Sequence, residues 1–74
     1  MQQIIDSVIQ KEIDLVTNDI LSRFPNCSYT IDVILWDDNT HKVECRHGSD
    51  DGNKLYISTY VDGKLNFEII EISK

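Results

Sequence analysis

The spacing of apolar side chains changes from helical to strand-like once in this chain, between Phe24 and Ser28, and that change limits the folds available to it. From Gln3 to about Arg23 the apolar residues recur at helical spacing. Ile5, Ile9, Ile13, Val16 and Ile20 form the stripe, with Ile4, Val8, Leu15 and Leu21 beside it. Gln10, Lys11, Asp14, Thr17 and Asn18 occupy the opposite side, so the segment reads as a helix with one face to bury. Phe24-Pro25-Asn26 should end it, because a residue before proline is pushed out of the α region and proline has no N–H to donate.

From Ser28 onward the period is two. Tyr29, Ile31, Val33 and Leu35 alternate with Thr30, Asp32, Ile34 and Trp36. His41, Val43, Cys45 and His47 alternate with Lys42, Glu44 and Arg46. Leu55, Ile57, Thr59 and Val61 then alternate with Tyr56, Ser58 and Tyr60, and Leu65, Phe67 and Ile69 with Asn66, Glu68 and Ile70. Assigning the odd-numbered residues of all four segments to the interior gives an α+β fold. One amphipathic helix lies on a four-stranded antiparallel meander, in the order αββββ, as one domain over residues 1–74.

That single parity constrains the turns, since residues opposite each other on antiparallel strands share a face. Asp37-Asp38-Asn39 fits a three-residue loop, a type I turn with Asn39 left-handed, pairing Trp36 with Thr40. A two-residue Asp62-Gly63 turn would set Ile57 opposite Glu68 and break the face. The parity therefore predicts a three-residue loop with Gly63 as a left-handed bulge, pairing Ile57 with Phe67 and Leu55 with Ile69. Gly48 to Asn53 forms the longest connection between strands and should be the most mobile part. Past Ile69 the phase slips, leaving Ile70 and Ile72 outward.

Charge narrows the partners. Thirteen acidic against seven basic residues give a net charge of −6, with no Lys/Arg run. This opposes contact with nucleic-acid phosphates or anionic lipid. The first residues lack a basic region, and Asp6, Lys11, Glu12 and Asp14 interrupt any apolar run, so neither a signal peptide nor a membrane span is expected. A cytoplasmic location follows as the expectation, with Cys27 and Cys45 as reduced thiols.

No cofactor, metal or catalytic residue is expected. His41, Cys45 and His47 share one strand face and have zinc-ligand chemistry, but the paired short loops of zinc fingers are missing. The plainer reading is a buried thiol between two histidines, and no third group orients Cys45 and His47 as nucleophile and base. With Cys45 opposite Ile31, Cys27 lies about 13 Å along the neighbouring strand at the usual rise, beyond disulfide reach. Asp50 and Asp51 lack the spaced carboxylates of a calcium loop.

The outward face is the candidate binding surface. Its expected members are Ile34, Trp36, Tyr56, Tyr60, Ile70 and Ile72, a residue mix that protein interfaces favour. The expected function is a small acidic, non-enzymatic interaction module of inhibitor, immunity or accessory type, docking that face on a protein partner or on a second copy of itself. One alternative is a nucleic-acid mimic presenting Asp37, Asp38, Asp50, Asp51 and Asp62 to a DNA- or RNA-binding protein. Another is a small metal or enzyme domain using His41, Cys45 and His47.

Overall fold

The computed structural model describes residues 7–72. Helix α1 spans Ser7–Arg23, and the expected start at Gln3, with Ile4 and Ile5, lies outside the described residues. Ile9, Val16 and Ile20 are buried along one face, while Val8 and Leu15 are exposed. The helix stops where proline chemistry requires. Phe24 N–H still donates to Ile20 O at 2.8 Å, then Asn26 takes a left-handed φ of 65° and Cys27 N–H returns to Phe24 O at 3.3 Å.

Strands β1 (Thr30–Leu35), β2 (His41–Gly48), β3 (Lys54–Val61) and β4 (Lys64–Glu71) pair antiparallel in sequence order. The α+β meander is therefore the fold. The helix lies over the two central strands, β2 and β3, so β1 and β4 are both edges. Val43 and Cys45 meet Ile9, Val16 and Ile20 in the core. Ile13, Phe24, Ile31, Val33, Tyr56, Tyr60 and Phe67 pack around them. Each fully buried aliphatic side chain there is worth about 1.5–3 kcal/mol of transfer free energy. Among the described residues no helix is long and apolar enough to cross a membrane.

The first hairpin follows expectation. Trp36 N–H donates to Thr40 O at 2.9 Å, Asn39 has a φ of 70°, and Val33 stands opposite Val43. The later parity does not hold. Tyr60 faces Val43, Ser58 faces Cys45 and Tyr56 faces His47, so in β3 the even-numbered residues look toward the helix. Tyr56 and Tyr60, expected outside, belong to the core side, and Leu55 and Ile57, expected inside, lie on the open face.

Loop length is the reason. Ser49 N–H bonds Lys54 O at 2.9 Å, closing a loop of four residues, 50–53. Asp62 and Gly63, with φ of 53° and 76°, form a two-residue turn between the paired Val61 and Lys64. Positive φ at both positions is the primed turn that Asp-Gly favours, in place of the three-residue bulge. An even-numbered loop reverses parity between the strands it joins, and two in succession restore it. Phe67 consequently returns to the helix side, opposite Ser58. The connection expected to be mobile is short and internally bonded. Asp51 Oδ1 accepts from Ser49 Oγ at 2.6 Å and Asn53 N–H at 3.0 Å, and Ser49 Oγ accepts from Lys54 N–H at 3.0 Å.

Candidate functional site

The six residues expected to share an outer surface are divided among three places. Tyr56 lies between Phe24 and Phe67, its ring centroid 4.3 Å and 6.3 Å from theirs, beneath the end of α1. Tyr60 packs on the core at the other end of β3. Ile34 is half-buried on the open face of β1. Trp36, just beyond β1, borders an open groove with Val8, Ile9, Leu35 and His41. Ile70 and Ile72 belong to the opposite edge, and at ordinary strand spacing three ladders put β1 and β4 about 14 Å apart. Ile70 is on the expected open face, where Leu55 is its partner, so the apparent slip past Ile69 needs no bulge.

The open face divides by chemistry. On β1 and β2, Asp32 stands opposite Glu44, a like-charge pair that alone would be unfavourable. Arg46 binds Asp32 and approaches Glu44 at 4.0 Å, while Lys42 Nζ is 3.1 Å from Glu44 Oε2. The four charges alternate and neutralise one another. On β3 and β4 the same face carries Leu55, Ile57, Val61 and Ile70. Ile57 is only 8% exposed despite having no helix above it. Arg46 and Glu68 flank it across the two ladders, and long charged side chains cover apolar surface with their stems.

Strand β4 differs from the rest. Leu65 and Ile69 on its helix side, and Ile70 and Ile72 on or beyond its open side, are between 43% and 53% exposed. The helix does not reach them because it is centred on β2 and β3. The backbone is also open. Ile72 N–H donates to Asn53 O at 2.7 Å, which fixes the alternation of the β3–β4 ladder. Even-numbered residues of β4 bond to β3, and the N–H and C=O groups of Leu65, Phe67, Ile69 and Glu71 point outward from the sheet. This apolar, unpaired edge was not evident from alternation, because a strand's place at the edge depends on topology.

His41, Cys45 and His47 share a strand face without forming a site. The histidines are six residues apart, about 20 Å in an extended strand. His41 Nε2 donates to Glu12 Oε1 at 2.5 Å, and His47 Nδ1 donates to Ser28 O at 2.9 Å while its ring lies 5.0 Å from Phe24. Cys45 is buried, and burial, with Cys27 nearby as a lesser cause, pushes its thiol up to about 11. A thiol held protonated is a poor nucleophile. Both cysteines are free, and among the described residues no three His, Cys, Asp or Glu side chains are placed to hold a metal ion.

The five loop carboxylates are likewise separated. Asp37, Asp38 and Asp62 lie at one end of the sheet, Asp50 and Asp51 at the other. Asp38 is held below the usual carboxylate value by hydrogen bonds from the Thr40 hydroxyl and N–H, and Asp51 by bonds from Ser49 and Asn53. Both serve their own turns. Comparison of the chain with known families, characterised proteins and solved structures finds no match.

Proposed function

We propose that this chain is a small, non-enzymatic protein-interaction module of inhibitory or accessory type, and that β4 is its docking element. The observation that carries the reading is the coincidence of apolar exposure and open backbone on one strand. Leu65, Ile69, Ile70 and Ile72 are about half exposed, and the outward N–H and C=O groups of the same strand offer a ladder to an added strand. Proteins ordinarily guard such an edge with proline, a bulge, inward charge or a covering loop. Here β4 is eight residues long and has neither proline nor bulge, and its charges are Lys64 at its start, Glu68 on the open face and Glu71 on the helix-side parity only at its last position. Strand addition with side-chain pockets on alternate residues is an established way for such an edge to bind. The structural hydrogen bonds of His41 and His47 and the burial of Cys45 support a binding role over a catalytic one.

The test is retention of proteins from the native host on the tagged chain, compared with an Ile70→Lys/Ile72→Lys variant of unchanged circular dichroism. A protein held by the wild type and lost by the variant is expected. If every retained protein binds both forms equally, β4 is not the docking element and the reading fails.

A further inference from the structure

We infer that β4 is self-complementary and pairs antiparallel with β4 of a second copy, about a two-fold axis at Phe67, to make a continuous eight-stranded sheet. This rests on β4 being the docking element and names its occupant. A two-fold axis perpendicular to the sheet reverses strand direction and keeps both helices on one side, so odd residues must meet odd residues. The odd residues are also those whose N–H and C=O groups point outward. Register and hydrogen bonding therefore agree without adjustment.

Among the even sums, one register joins the side chains. Centred on Phe67, it sets Leu65 opposite Ile69 of the second copy, Phe67 opposite its own image, and Ile69 opposite Leu65. The exposed helix-side residues of both strands then cover one another. On the open face Asn66 meets Glu68 and can donate to its carboxylate, while Lys64 lies diagonal to that same Glu68, within reach of a salt bridge. Shifting the centre to Glu68 brings two carboxylates face to face and sets Leu65 against Glu71. Shifting it to Asn66 leaves Ile69 opposite Gly63 in the turn. Strand β1 is a poorer edge for the same purpose. It has six residues, its Ile31, Val33 and Ile34 are half-buried, and Asp32 stands in its middle. The net charge of −6 on each copy opposes association at long range, so pairing should be favoured where salt screens it.

The test uses the purified chain alone at high salt, from low micromolar to near-millimolar concentration. Light scattering should rise with concentration from the 8.6 kDa monomer to twice that mass. Ile69→Pro should abolish the rise, because residue 69 directs its N–H away from β3 and the internal ladder is spared. Register is read by disulfide trapping in a Cys27→Ser background, which does not depend on tolerance of that proline. Asn66→Cys with Glu68→Cys should give a covalent dimer under oxidation, since a non-hydrogen-bonded pair brings Cα atoms to about 4.5 Å. Neither single cysteine should cross-link. Trapping by Asn66→Cys alone or by Glu68→Cys alone would overturn the Phe67 centre, since these report the two shifted registers. A chain that stays monomeric and untrapped would overturn self-pairing, whereas failure of the docking role itself would show as host proteins held equally by the Ile70→Lys/Ile72→Lys variant.

Discussion

Ser58 Oγ donates to Asp19 Oδ2 at 2.9 Å across the helix–sheet boundary, joining a fully buried hydroxyl of β3 to a carboxylate of α1. The same carboxylate lies 3.4 Å from Arg23, whose guanidinium stands 3.7 Å above the Phe67 ring. A polar line thus runs from the middle of β3 through the last turns of the helix to β4. It makes Ser58 acceptable at a central inward position, where an unpartnered hydroxyl would be costly.

Removing the acceptor should cost more than removing the donor. Asp19→Ala strands a buried hydroxyl and should lower unfolding stability by about 1–3 kcal/mol, with a smaller loss for Ser58→Ala. The double variant should be no less stable than Asp19→Ala alone. Urea unfolding of the four proteins in a cycle measures the coupling, and simple additivity would show that the bond contributes nothing.

The reversed parity of β3 separates two aromatic residues expected to behave alike. Tyr60 packs on the core, so Tyr60→Ser should cost about 2 kcal/mol or more. Trp36 is 45% exposed, and Trp36→Ser should change stability by no more than about 0.5 kcal/mol. Thermal melts of both variants decide it, and equal losses would contradict the β2–β3 register.

At the second hairpin, Gly63 has a φ of 76°. Gly63→Ala should cost about 1–2 kcal/mol, the usual penalty of a left-handed conformation for a residue with a Cβ. One glycine inserted within β4, after Leu65, should cost more, because with the Asp62-Gly63 turn kept it would move Phe67 from opposite Ser58 to opposite Ile57, away from the helix. The comparison of midpoints in denaturant checks both, and a harmless insertion would mean that the β3–β4 register does not decide which side of β4 is buried.

Acid should loosen the turns. Asp38 and Asp51 both have folded values below the ordinary 3.8, through hydrogen bonds that the charged carboxylate accepts. A lowered folded value means that their contribution is complete above the unfolded value and is lost as pH falls through the folded one. Stability should therefore decline from about pH 4 downward, and Asp38→Asn with Asp51→Asn should flatten that decline. Melting temperatures at pH 5 and pH 3 supply the measurement.

Much of the fold was legible because it is written locally. Helical spacing, the Phe24-Pro25 stop, four alternating segments and the Asn39 loop all act within a few residues, and each occurs where its chemistry places it. The candidate surface was less legible. Strand β3 carries large side chains on both parities, Leu55 and Ile57 on one and Tyr56 and Tyr60 on the other, so alternation alone could not choose its buried face. Carrying the first hairpin's parity forward overrode the strongest local signal available, the Asp62-Gly63 pair, and misplaced the tyrosines.

By itself, then, the sequence determined the helix, the strands and their order, because periodicity and turn residues act over short range. Only the tertiary structure decided which side of β3 meets the helix. That choice depends on the bonded four-residue loop at 50–53 and on Asp19 reaching Ser58 from 39 residues away. It also decided that β4 is left uncovered at an edge, since a single helix, seated over β2 and β3, is too narrow to shield four strands.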